Sequence, residues 1–256
     1  MSTLHEEDCL NGVQKLPDNT IDLTVTSPPY NVGITGRKNP IKYNVYSDDK
    51  EQDEYINWLA ELFHTVYEKT ASGGRLAINI GDQKNGAIPT HVQLTTALTE
   101  IGWQPFSTII WNKQQTRNRA AWGSWLSPSS PSFPSPFEFI LIFYKDVKKL
   151  QHTGTTDLTD IEFKKFAYGM WEIGPARNKA NPAVFPSEIP YRLIKMLTYP
   201  GDTVLDPFAG VGTSLIVADA LERESVGYEI DPVSITEYHR VKANMGSRHR
   251  PKNVLL

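Results

Sequence analysis

The chain is poor in cysteine, in net charge and in uninterrupted apolar sequence, and each shortage removes a class of function. A single cysteine, Cys9, among 256 residues rules out an internal disulfide framework and any metal site built from several thiolates, and no metal is expected. No apolar run approaches the roughly 18 residues that cross a bilayer. The N-terminus is not signal-like, so the expectation is a soluble, cytoplasmic protein without a membrane partner. Net charge is only −3. A polyanionic partner is therefore not announced in bulk, and any basic surface has to be local. No internal repeat or long low-complexity segment interrupts the chain. What is left, 39% hydrophobic residues in a length that buries a proper core, fits one large α/β domain over residues 1–256.

What is present is organised around Val25-Thr26-Ser27-Pro28-Pro29-Tyr30-Asn31. The β-branched run 21–25 follows the turn signal Pro17-Asp18-Asn19 and reads as a buried strand. Two consecutive prolines cannot continue a sheet ladder, so the backbone leaves the sheet abruptly and stiffly. Residues before proline are extended, which turns the carbonyls of the exit outward. An outward carbonyl, the Ser27 hydroxyl and the Tyr30 ring then form two acceptors beside an aromatic face, a surface suited to a planar ring bearing an exocyclic amine. Taken alone, Ser-Pro-Pro-Tyr is equally an ordinary proline-stiffened loop.

Beyond it, residues 33–49 read as a long loop beside this turn. An amphipathic helix carries Tyr55, Trp58, Leu59, Leu62, Phe63 and Val66 and is expected to end at Gly73-Gly74. Strands are expected at 76–80, 108–111 and 137–144, with helices at 90–101 and 187–197. Residues 112–136 interleave Lys113, Arg117 and Arg119 with amides and with Trp122 and Trp125. They read either as a segment contacting phosphates and base edges or as a surface loop with its tryptophans tucked against the domain. Residues 146–180 are a second candidate recognition loop, polar and rich in lysine. Asp8, read locally, ends a short strand or is a solvated carboxylate.

The second informative stretch is Thr203-Val204-Leu205-Asp206-Pro207-Phe208-Ala209-Gly210-Val211-Gly212-Thr213-Ser214, a strand, a glycine turn and the start of a helix at 215–222. A further strand at 225–230 places Glu229 where an acid chelates ribose hydroxyls in nucleotide-binding α/β folds. The three-glycine dinucleotide fingerprint is missing and no pyrophosphate cradle is visible. An adenosine ligand without a diphosphate fits better. In a doubly wound sheet both loops reach the carboxyl ends of the strands, at the topological switch point.

Together these stretches resemble the S-adenosylmethionine-dependent DNA amino-methyltransferases of the β class, in which the Pro-Pro-Tyr motif precedes the Phe-x-Gly-x-Gly motif. The resemblance runs from Asp8-Cys9 through Thr26–Tyr30, Glu138, Asn181-Pro182 to Pro186 and Asp206 to Thr213, ending at Glu229-Ile230-Asp231. It implies a Rossmann-like, circularly permuted fold with a mixed, mostly parallel sheet and helices on both faces. It further implies that Asp206, Pro207, Phe208, Gly210, Gly212 and Thr213 line the S-adenosylmethionine pocket. Glu229 would bind the ribose, Asp8 the adenine amine, and Phe185-Pro186 the methionine end. Val211 and Ser214 depart from the serine and threonine frequent in this motif, and Asn181 stands where histidine is frequent.

The expected chemistry is direct transfer to the amine of a base flipped from double-stranded DNA. Ser27 and the Pro28 carbonyl would accept the amine hydrogens, with Tyr30 stacking on the base and Asn79 as a second base contact. Serine before the two prolines is usual for cytosine N4 enzymes of the family and aspartate for adenine N6 enzymes. Cytosine is therefore expected, with adenine N6, RNA, or a silent nucleic-acid-binding module as alternatives. A restriction endonuclease acting on the same site is a further expected partner, and monomer and homodimer are both open.

Overall fold

The computed structural model describes residues 2–31, 50–114, 123–176 and 185–246. The expected loop at 33–49 and Arg117, Arg119, Trp122, Asn181 and Pro182 lie outside the described residues. In chain order the elements are β1 (Ser2–Glu6), α1 (Cys9–Gln14), β2 (Ile21–Thr26), α2 (Gln52–Lys69), β3 (Thr70–Ile80), α3 (Thr90–Ile101), β4 (Gln104–Asn112) and β5 (Phe137–Tyr144). They continue with α4 (Asp160–Phe166), β6 (Met170–Glu172), α5 (Glu188–Leu197), β7 (Thr203–Asp206), α6 (Thr213–Ala220), β8 (Glu224–Glu229) and α7 (Pro232–Gly246).

The strands form one sheet in the order β1-β8-β7-β2-β3-β5-β4-β6. Every neighbouring pair is parallel except those involving β5, which runs against β3 and β4. Alternation along the strands sorts their side chains to two cores. Leu76, Ile78, Leu141 and Phe143 pack with α2 and α3 through Leu59, Phe63, Leu94 and Leu98. Ala77, Ile140 and Ile142 pack on the other face with Ile189 and Leu193 of α5 and Val217 and Ala218 of α6. A sheet with helices on both faces is the doubly wound architecture expected from the sequence, and burial on both faces explains why its central strands read as continuous apolar runs.

Three local expectations change. Gly73-Gly74 do not end a helix. α2 stops at Lys69 and the glycines sit inside β3, where the register jumps from Ile21↔Thr70 to Leu23↔Arg75 and Gly73 takes φ 80°. The extra residues of this bulge need a left-handed position. The segment 146–180 is not a plain loop. It contains α4, closed by a capping box between Thr159 and Glu162, and β6, which adds to the sheet edge beside β4. Trp125 is not tucked away but 66% exposed, with Phe133 at 76%.

Since β5 alone is reversed, one edge of the sheet collects the C-terminal ends of β1, β8, β7, β2, β3 and β4 and the N-terminal end of β5. On the opposite edge His152 lies between Asp202, 2.9 Å from Nε2, and Asp22, 4.0 Å from Nδ1. Each ring nitrogen faces a different carboxylate. Among the described residues no helix is long and apolar enough to cross a membrane.

Candidate active site

β2 and β7 are adjacent and parallel, with Leu23 opposite Val204 and Thr24 opposite Leu205. The turn after β2 and the glycine loop after β7 therefore leave the sheet side by side. A buried hydrogen bond joins them directly: Thr26 Oγ1 donates to Asp206 Oδ1 at 2.7 Å.

The Ser27–Tyr30 turn is fixed from three sides. Tyr55 of α2 donates its hydroxyl to the Pro29 carbonyl at 2.5 Å, so that carbonyl is occupied. Asn31, at φ 52°, pairs both ends of its side-chain amide with the Lys50 backbone, at 2.8 Å each. The Tyr30 hydroxyl donates to Glu138 Oε2 at 2.9 Å, receives Asn79 Nδ2 at 2.5 Å, and lies 3.0 Å from Ser27 Oγ. A phenol has one hydrogen, and here it goes to the carboxylate. Ser27 must then be the donor in its bond to Tyr30, which leaves its lone pairs as the outward-facing feature. Burial, reinforced by the Glu138 carboxylate, lifts the Tyr30 phenol far above its ordinary value, so it keeps that hydrogen.

The Asn79 amide nitrogen serves Tyr30 and Glu138, so the side chain braces Tyr30, while its Oδ1 is buried without a hydrogen-bond partner. Lys113, expected on a DNA-facing surface, turns inward. Its ammonium pairs with Glu138 Oε1 and lies 5.0 Å from the Trp111 ring centroid.

In the glycine loop Asp206 is 1% exposed. It accepts from Thr26, from the Ser214 hydroxyl and from the Phe208 amide. Burial pushes its carboxyl up to about 6 even against those hydrogen bonds. Both oxygens are engaged, so Asp206 shapes the loop from beneath. Ser214, one of the departures from the family pattern, supplies one of these donors. Gly212 has φ 75°, and a Cβ there would meet Tyr238 of α7 at 2.2 Å. Only glycine fits between that ring and the start of α6. Phe208 is half-buried against Trp58 of α2, with ring centroids 5.5 Å apart. Pro207 is buried, and Gly210 and Thr213 are partly exposed.

β1 brings Asp8 to the same edge, because Glu6 pairs with Glu229 and the Glu7 amide donates to the Glu229 carbonyl at 3.1 Å. Asp8 caps α1 through Oδ1, accepting from Leu10 and Asn11, which leaves Oδ2 for another donor. Glu229 Oε2 accepts the Gly210 amide at 2.7 Å, and Oε1 accepts the amides of Ile230 and Asp231 at 2.8 Å each. Burial raises its carboxyl, with these amides opposing the rise. Phe185 is buried in the core face shared with Ile189 and Leu193, and Pro186 is buried beside it.

One edge thus holds Ser27–Tyr30, Asn79, Asp206–Thr213, Glu229 and Asp8. It also holds Glu138 and Trp58, to which sequence reasoning gave no site role. The signal for Glu138 was its position: a carboxylate inside Phe-Glu-Phe-Ile-Leu-Ile-Phe, 7% exposed, has to be paired.

The DNA methylase family pattern N6_N4_Mtase matches residues 21–240. The Type II methyltransferase M.MjaVI of Methanocaldococcus jannaschii is 37% identical over 171 residues, 66% of this chain and 84% of its own. A Thermus thermophilus protein solved in complex with S-adenosyl-L-methionine superposes with TM-score 0.77 at 24% identity, covering 97% of this chain and 96% of that one. The PvuII DNA methyltransferase (cytosine-N4-specific) gives TM-score 0.69 at 20% identity, covering 93% and 86%. These two likenesses concern the fold. The matched pattern spans both loops and every strand between them, and the chain belongs to the DNA methylase family.

Proposed function

We propose that this DNA methyltransferase transfers the methyl group of S-adenosylmethionine directly to the exocyclic N4 amine of a cytosine flipped out of duplex DNA, within a specific sequence. The observation that carries the reading is Ser27 held as a hydrogen-bond acceptor immediately beside the glycine loop.

The residues fit the cofactor. Gly210, partly exposed at φ 54°, presents bare backbone that a ligand can approach closely, while Gly212 closes the loop against Tyr238. Glu229, already oriented by three backbone amides, accepts ribose hydroxyls, and Asp8 Oδ2 accepts the adenine amine. Phe208 and Pro186 supply apolar walls. When bound, the cofactor supplies an activated methyl on a sulfonium. The Type II methyltransferase M.MjaVI, the S-adenosyl-L-methionine complex of the Thermus protein and the cytosine-N4-specific PvuII enzyme support this reading by similarity.

A cytosine amine is a poor nucleophile because its lone pair is delocalised into the ring. Ser27 Oγ and the Pro28 carbonyl accept its two hydrogens and favour a tetrahedral nitrogen with the lone pair turned toward the glycine loop. Tyr30 offers its ring to the base while its hydroxyl is held by Glu138 and Asn79. Rate enhancement then comes from positioning and from acceptors aimed at the developing positive charge. No thiolate is involved, since burial pushes the Cys9 thiol up to about 12. β4 ends and β5 begins at the active edge, so residues 123–136, with exposed Trp125 and Phe133, are the segment proposed to meet the duplex.

Methyl-labelled S-adenosylmethionine and mixed-sequence duplex DNA, followed by nucleoside digestion and mass spectrometry, test the proposal. N4-methylcytosine is the expected product. N6-methyladenine would overturn the base assignment, and label entering only RNA would overturn the substrate.

A further inference from the structure

Methylating an amine leaves one hydrogen too many on nitrogen, and that proton needs an acceptor. We infer that Ser27, Tyr30 and Glu138 form a proton path from the target amine to a buried carboxylate, with Glu138 as its accepting end.

The inference rests on the proposed amine methylation and on donor directions fixed by counting hydrogens. Tyr30 gives its only hydrogen to Glu138 Oε2 at 2.9 Å, so the 3.0 Å bond to Ser27 runs from Ser27 to Tyr30. With the amine donating to Ser27 Oγ, all three bonds point the same way: amine to Ser27, Ser27 to Tyr30, Tyr30 to Glu138. The step balances. As the methyl carbon bonds to nitrogen, its bond to the sulfonium sulfur breaks with the electron pair left on a neutral thioether, and one N–H bond breaks, its proton joining Ser27 Oγ. The Ser27 proton moves to the Tyr30 oxygen, and the Tyr30 proton moves to Glu138 Oε2. Ser27 and Tyr30 end with the hydrogens they began with, the methylated amine is neutral, and Glu138 is a carboxylic acid.

The surroundings suit that task better than they suit simple packing. Asn79 donates to both Tyr30 and Glu138, so it holds both oxygens in line without accepting the travelling proton. Lys113 pairs with Glu138 Oε1, which leaves Oε2 to Tyr30 and Asn79. Gly81 brings the end of β3 against the pair, where an added Cβ would stand 3.3 Å from Glu138 Cγ and 3.5 Å from Tyr30 Cε2. Aligning an aromatic ring alone would need neither a buried carboxylate nor its cation.

Two variants test the path in single-turnover assays alongside wild type. Glu138→Gln still accepts from Tyr30 but cannot take a proton, and Tyr30→Phe keeps the ring while cutting the chain. Each is expected to lower the methyl-transfer rate by about 100-fold, with dissociation constants for S-adenosylmethionine and duplex DNA unchanged. The double variant should be no slower than the slower single one, because both interrupt one chain. Wild type should slow in heavy water and both variants should lose that sensitivity, a change that a purely structural role would not produce. Wild-type rates in either variant, or multiplicative losses in the double variant, overturn the path while leaving the methyltransferase reading intact. A wild-type protein that methylates no DNA amine removes both.

Discussion

Thr26 and Asp206, 180 residues apart, share a buried 2.7 Å hydrogen bond. It ties the last residue of β2 to the last residue of β7, and so fixes the base-facing turn relative to the glycine loop. Thr26→Val keeps the shape and removes the donor, leaving a buried carboxylate with one partner fewer. The expected cost is about 1–3 kcal/mol, read as a lower urea midpoint with an unchanged slope. An unchanged midpoint would mean that Ser214 and the Phe208 amide satisfy Asp206 by themselves.

Asp206 also gives stability a pH dependence of unusual sign. Burial pushes its carboxyl up to about 6 in the folded chain, whereas an unfolded aspartate titrates near 4. Between these values the folded state holds more protons than the unfolded one, so this group's contribution falls as pH rises from about 4 to about 6 and levels off above. The full swing is roughly 3 kcal/mol. Asp206→Asn should remove it, so wild type gains on the variant as pH is lowered through that window. Parallel urea-stability curves for the two proteins would contradict the shift.

Glu229 separates cofactor binding from chemistry. Its carboxylate holds the Gly210 amide as well as those of Ile230 and Asp231, so Glu229→Ala loses both the proposed ribose acceptor and the brace on the loop. A loss of roughly 2 kcal/mol weakens S-adenosylmethionine by about 10–100-fold, measurable by calorimetry without DNA. An unaltered dissociation constant would take the ribose role away from Glu229.

Ser27→Ala should behave in the opposite way. Among the described residues the hydroxyl hydrogen-bonds to Tyr30 and not to the glycine loop, so cofactor affinity should hold while single-turnover transfer falls by about 100-fold. Full turnover by the alanine variant would leave the Pro28 carbonyl as sufficient acceptor and refute the serine assignment.

The centre of the sheet was legible because β2, β3, β5 and β7 are buried on both faces and keep apolar runs, and because a double proline and a glycine turn mark the two loops that follow β2 and β7. β1 was only half legible, a short strand ending near Asp8 being one of two readings, since Ser-Thr-Leu-His-Glu carries a single aliphatic side chain and is held as a strand by pairing along β8. β6, three residues long, exists because β4 offers it an edge. The role of Glu138 was hidden for a similar reason. It reaches Tyr30 only because β5 is reversed, which places its first residues where its neighbours place their last, and local periodicity does not carry that relation. Asn79 and Lys113 stand at the expected edge, but the carboxylate both pair with, Glu138, lies 59 and 25 residues away in sequence, beyond local reading.

That pairing makes Lys113 a test of which cations meet DNA. Each phosphate contact contributes about 0.9 to the slope of log affinity against log salt. The Lys113 ammonium is paired with Glu138, and its side chain is 25% exposed, so it has little charge to offer a phosphate. Lys113→Ala should therefore leave the salt slope unchanged while disturbing transfer through the unpaired Glu138. The double change Arg117→Ala with Arg119→Ala, in the basic stretch 112–136, should instead flatten the slope by up to about 2. A flattened slope for Lys113→Ala would return that lysine to the DNA surface. An unchanged slope for the arginine pair would leave 112–136 to contribute shape and its exposed Trp125 rather than charge.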